Sequence, residues 1–93
     1  MNTTYSERVA HDLARLARDQ RKAEAERFRL RTNSPRPPRS RAFYEAFALE
    51  RHEAGELRGY ARAVAALTPG VCALDVINDA YALADEYDKE AAA

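Results

Sequence analysis

Cysteine is almost missing from this sequence. Cys72 stands alone, so no disulfide can form within the chain, and a reducing compartment is the expected setting. Strand formers are sparse as well. Valine, isoleucine and tryptophan together come to Val9, Val64, Val71, Val76 and Ile77, too few for the core of a sheet. With 3 glycines in all, there is no phosphate-binding loop and no dinucleotide fingerprint, and zinc-ligand spacing is absent too. Long apolar runs are also lacking. Glu7, Arg8, Asp12, Arg15 and Arg18 break up the N-terminal segment, which therefore reads neither as a secretory leader nor as the ~20 apolar residues of a membrane span. The expected location is the cytoplasm, without membrane association.

What is abundant is helix-forming. The 93 residues include 20 Ala and 13 Arg, both strong helix formers. Arginine outnumbers lysine 13 to 2, a bias that GC-rich bacterial and phage genomes tend to encode. A chain of this length makes one domain and buries only roughly 60–65% of its unfolded surface, which favours self-association or a partner. Formal charge is balanced, but unevenly placed: residues 1–41 carry a surplus of 6 positive charges and residues 42–93 a surplus of 6 negative. The simplest outcome is mutual neutralisation, within the fold or across a dimer. The alternative is a basic surface for nucleic acid or an acidic partner.

The chain divides into three helical stretches. Thr4 followed by Glu7 has the spacing of a capping box. Val9, Leu13, Leu16, Gln20, Ala23, Arg27 and Leu30 then recur at alternating four- and three-residue steps, predicting a helix over about 5–31 with a heptad seam. Gln20 and Arg27 are polar interruptions in that seam. Residues 32–39 hold three of the prolines with Arg36 and Arg39, and read as a stiff extended linker. Ser40 is a suitable N-cap for a second helix over about 41–67, with a seam through Phe43, Phe47, Glu50, Ala54, Leu57, Ala61 and Val64. Tyr60 and Leu67 widen one flank. Thr68-Pro69-Gly70 ends it, and Thr68 with Pro69 is expected to start a third helix over about 69–89. That helix carries two apolar stripes, Leu74–Ile77–Tyr81–Ala84 and Val76–Ala80–Leu83–Tyr87. A face that wide packs against two neighbours. The expected fold is all-α: a long N-terminal helix, a Pro-rich linker and an antiparallel helical hairpin, closing as a three-helix bundle or an intertwined oligomer.

Catalytic chemistry finds little support in these residues. His11 lies opposite the first seam and His52 among carboxylates on a polar face; neither spacing implies the three protein ligands of a metal site. Asp75 and Asp79 sit early in the third helix, where they complement its dipole. Cys72 has no base predicted beside it and reads as a small buried or half-buried residue. No cofactor and no enzymatic activity are expected.

Interaction chemistry is better represented. Arg36, Arg39, Arg41, Tyr44 and Arg58 are the candidate partner-binding residues, being of the types that dominate binding hot spots. Val9, Leu13, Leu16, Ala23, Leu30, Gly55 and Gly59 are the candidate oligomer seam, the two glycines one turn apart permitting a close helix crossing. The expected function is a small module that binds another protein sterically, the expected partners including a second copy. By analogy of size and composition, it would be a phage or mobile-element inhibitor of a host protein. The alternative is a nucleic-acid accessory protein using the basic half and the Arg/Pro linker.

Overall fold

The computed structural model describes residues 5–32 and 41–92. It is all-helical: α1 spans Glu7–Thr32, α2 Arg41–Leu67 and α3 Ala73–Ala92. The three helices pack on one another in a helical bundle. Thr4, Ser40 and the Pro-rich linker with Arg36 and Arg39 lie outside the described residues.

Local chemistry sets the helix ends, and corrects two of them. Ser6 caps α1, its Oγ accepting the Val9 amide and its carbonyl the Ala10 amide. α3 starts four residues later than its Thr68-Pro69 start signal suggests. Gly70 has a φ of 78°, a left-handed conformation that no helical residue adopts, and the Thr68 hydroxyl donates back to the Val64 carbonyl instead of capping forward. Cys72 is the real N-cap. Its carbonyl accepts the Val76 amide, and the Asp75 carboxylate accepts the Cys72 amide and thiol, the return half of a capping box. Cys72 is accordingly exposed, not buried. At the other end α3 continues to Ala92, past the expected Lys89, since alanines offer nothing to stop a helix.

α1 and α2 run antiparallel: Tyr60 of α2 donates to Asp12 near the start of α1, while Glu50 meets Arg27 near its end. α3 runs across this pair. Its partners on α1 do not advance together along the two helices, because Tyr5 reaches Asp79, His11 stacks on Tyr87, and Gln20 meets Tyr81. The dimensions agree. Three aligned axes would keep both short dimensions near about 15 Å, whereas the molecule measures 47 × 33 × 16 Å. Its radius of gyration of 15.3 Å exceeds the roughly 12 Å of a compact domain this long. The crossing is lined by small residues, Ala10, Ala14 and Ala17 of α1 against Val76, Ala80, Leu83 and Ala84 of α3, with Leu57 and Ala61 of α2 completing the core.

Leu13 and Leu16, which the seam reading offered to a second chain, are 0% and 6% exposed inside this core. Val9 packs against it, and Ala23 is buried farther along α1. The N-terminal part of the seam is therefore internal; Leu30, at its end, is half-buried. Leu67 and Leu74, assigned to apolar faces, are 85% and 64% exposed because they flank the turn, where neither helix has a neighbour on that side. The polar interruptions have partners: Gln20 accepts the Tyr81 hydroxyl, and Arg27 pairs with Glu50, itself an interruption in the α2 seam.

Three phenols tie the helices together, Tyr5 to Asp79, Tyr60 to Asp12 and Tyr81 to Gln20. Burial, then the hydrogen bond to a carboxylate, pushes the Tyr5 and Tyr60 hydroxyls above the usual tyrosine range; for Tyr81 burial leads, with the Glu24 charge adding to it. A raised folded-state value stabilises the fold below the unfolded tyrosine pKa of about 10 and is lost as pH climbs past it. The thermal midpoint should therefore fall between pH 9 and 11, and less steeply in Tyr5→Phe; equal slopes in the two proteins would show that Tyr5 does not contribute. Leu13→Ala should lower unfolding free energy by about 2–5 kcal/mol, read from urea titration. Gly55→Ala should raise it by ~0.5–1 kcal/mol, because a Cβ there meets nothing within 4 Å.

Candidate interaction surface

α2 presents two different flanks. The seam Phe43, Glu50, Ala54, Leu57, Ala61 and Val64 turns toward the other helices, and of these Leu57 and Ala61 are 3% and 0% exposed. Shifting the same four-three spacing by one residue gives Tyr44, Ala48, Arg51, Gly55, Arg58 and Arg62, all exposed, before it ends at Ala65, half-buried against the core. Every acidic residue of α2, Glu45, Glu50, Glu53 and Glu56, falls elsewhere on the helical wheel.

This strip unites residues that the sequence marked for different purposes. Tyr44 and Arg58, marked for partner binding, share it with Gly55, marked for a helix crossing, and Gly59 lies at its edge. The glycines make no close crossing within the chain, since a Cβ at either meets no atom within 4 Å. Arg41, also marked, ion-pairs with Glu45 at 2.7 Å. Sequence reasoning missed Phe47, Arg51 and Arg62. Phe47 was assigned to the seam yet is 41% exposed, beside Tyr44 at 56%. Phe43 stacks on Phe47 and meets Tyr44 edge-on, and the Arg51 guanidinium lies 5.9 Å from the Phe47 centroid. Arg58 and Arg62 have no ion-pair partner among the described residues. The one-residue shift in heptad register was the available signal for Arg51 and Arg62; Phe47 lies in the unshifted seam, and no spacing signal marked it as exposed.

Phe28 is a further exposed aromatic, on α1. It lies about five full turns beyond Ala10, on the face that α3 covers farther back, and is 61% exposed. The α1/α2 pair simply outlasts α3: 26 and 27 residues against 20.

A second feature lies in the angle that the α3 crossing opens. It is a groove of about 1330 Å³ between α1 and α3. Ala10, Ala14, Leu83 and Tyr87 form its apolar floor, and His11 stacks on Tyr87 with centroids 4.9 Å apart. His11 is thus exposed, as expected, but turned toward α3. Glu7, Glu86 and Glu90 stand at the edges, without ion-pair partners among the described residues. Arg18 closes the inner end, where its Nη2 donates to Asp88 at 2.9 Å while its Nε is covered and meets no acceptor.

No protein-family model matches this sequence, and no curated protein or solved structure matches the chain.

The remaining polar candidates have local partners. His52 is 3.6 Å from Glu56, and Asp75 and Asp79 accept from Cys72 and Tyr5. Among the described residues no three His, Cys, Asp or Glu side chains group as metal ligands, and no helix is long and apolar enough to cross a membrane.

Proposed function

We propose that this chain is a protein–protein interaction module, acting sterically and without catalysis, and that the arginine–aromatic strip of α2 is its docking surface. The supporting observation is the company Tyr44 and Phe47 keep. Both are solvent-facing, arginines follow them along the helix, and glycine and alanine lie between. Tyrosine, phenylalanine and arginine are enriched where interfaces are buried, and small residues between them let a partner backbone approach.

Nucleic-acid binding, the alternative, asks for a continuous basic surface. Along α1, however, Arg18 pairs with Asp88, Arg21 with Asp85, Arg27 with Glu50 and Arg29 with Glu26. The Arg21 guanidinium holds the Asp85 carboxyl below its usual range. The first three of these pairs join the basic half to the acidic half and the fourth lies within α1; with Arg15 paired to Asp19, five of the eight cations of α1 are matched by carboxylates.

The reading is tested by photocrosslinking in the cells that encode the protein, with a benzophenone side chain replacing Phe47, Arg58 or, as a control, Asn78 on the outer side of α3. Discrete protein adducts are expected at 47 and 58 but not at 78, with yield falling at least tenfold when Tyr44→Ala is added. No adduct at either α2 position would rule out the strip as a docking surface.

A further inference from the structure

The strip on α2 and the groove between α1 and α3 complement one another in both shape and charge. The strip is convex, with Tyr44 and Phe47 at one end and Arg51, Arg58 and Arg62 along the rest. The groove is concave, with Ala10, Ala14, Leu83 and Tyr87 beneath and carboxylates at its edges. At about 1330 Å³ it exceeds the ~300–1,000 Å³ of small-molecule clefts and suits one face of a helix. Its lining arginines are already committed, Arg15 to Asp19 and Arg18 to Asp88, so Glu7, Glu86 and Glu90 leave a free surplus of 3 negative charges. The strip holds Arg51, Arg58 and Arg62, none with a carboxylate partner among the described residues.

Resting on the interaction reading above, we propose that the occupant of the groove is the α2 strip of a second copy of this chain. Tyr44 and Phe47 sit on the floor beside Leu83 and Tyr87, and Arg51 and Arg58, two turns apart, reach Glu86 and Glu90, one turn apart, through their long side chains. The exchange is reciprocal: each copy gives its strip and receives its partner's. A two-fold pair closes in this way and uses both surfaces of both chains, whereas a one-way contact would leave a strip and a groove open at the ends and propagate. Each copy supplies what the other's groove lacks, an aromatic filling and a matched set of cations. The carboxylate–arginine contacts set register and orientation, while the aromatic residues carry the apolar burial.

Charge exchange tests this directly. The full chain should sediment at twice its mass. Arg51→Glu with Arg58→Glu gives one variant, Glu86→Arg with Glu90→Arg a second. Each alone should be monomeric, its dimer dissociation constant raised at least tenfold. Mixed in equal amounts they should form a pair of twice the chain mass, because both reciprocal contacts regain opposite charges. Phe47→Asp should be monomeric with unchanged helicity, since Phe47 lies outside the core. The proposal is overturned by a wild-type chain that stays monomeric at millimolar concentration, by variants that dimerise as well as wild type, by a mixture that fails to pair, or by open-ended growth in place of a closed pair. A monomeric wild type that still crosslinks through position 47 to a different protein would remove the second copy as occupant and keep the interaction reading; a monomer without adducts would remove both.

Discussion

The close crossing of α3 over α1 is the contact from which the rest of the architecture follows. It depends on small side chains. Ala10, Ala14 and Ala17 of α1 share one buried cluster with Ala80 and Ala84 of α3, and Ala17, Ala80 and Ala84 are at most 1% exposed. Helices approach to 8–10 Å depending on the residues between them, and alanines sit at the near end of that range. Because α3 crosses obliquely, it covers one end of the α1/α2 pair and leaves the other bare. The same obliquity opens the groove beside Leu83 and Tyr87. The uncovered aromatics and the unfilled groove are two consequences of one packing choice.

Such a core is modest. Among the described residues its fully buried large side chains are Leu13 and Val76, and alanines bring little apolar area each. Burial is worth roughly 25 cal/mol per Å², so an alanine-lined crossing gives close packing more than strong hydrophobic stabilisation. The tyrosine hydrogen bonds and the Arg27–Glu50 pair add direction to it. The exposed ion pairs of Arg18 and Arg21 contribute little stability singly. Their larger effect is on the surface field, since they cancel two cations of α1 against carboxylates of α3.

Much of the fold was legible from the residues. The four-three spacing of Val9, Leu13 and Leu16 placed α1 and its buried face, and the second helix matches its expected span because proline and glycine bracket it. The start of α3 was misread: Pro69 resembles a first helical residue, but Gly70 after it takes a left-handed φ and postpones the helix to Ala73. Local rules rank the two signals without knowing which backbone path brings α3 onto α1.

The candidate surface was legible only in pieces. Tyr44, Arg58, Gly55 and Gly59 each drew notice for separate reasons, while Phe47 was assigned inward and Arg51 and Arg62 drew none. On α2 two seams one residue apart share the same spacing, and periodicity alone cannot say which turns inward. By itself the sequence determined the helical class, the helix spans to within a few residues, and the opposite charge of the two halves. These depend on local propensity, on turn residues and on composition. Tertiary structure alone decided that Leu13 and Leu16 face their own chain, that Gln20, Arg27 and Glu50 have partners, and that Phe28 and Phe47 are left uncovered. The crossing angle of α3 governs all of these, and that angle is set by side chains meeting from distant parts of the chain.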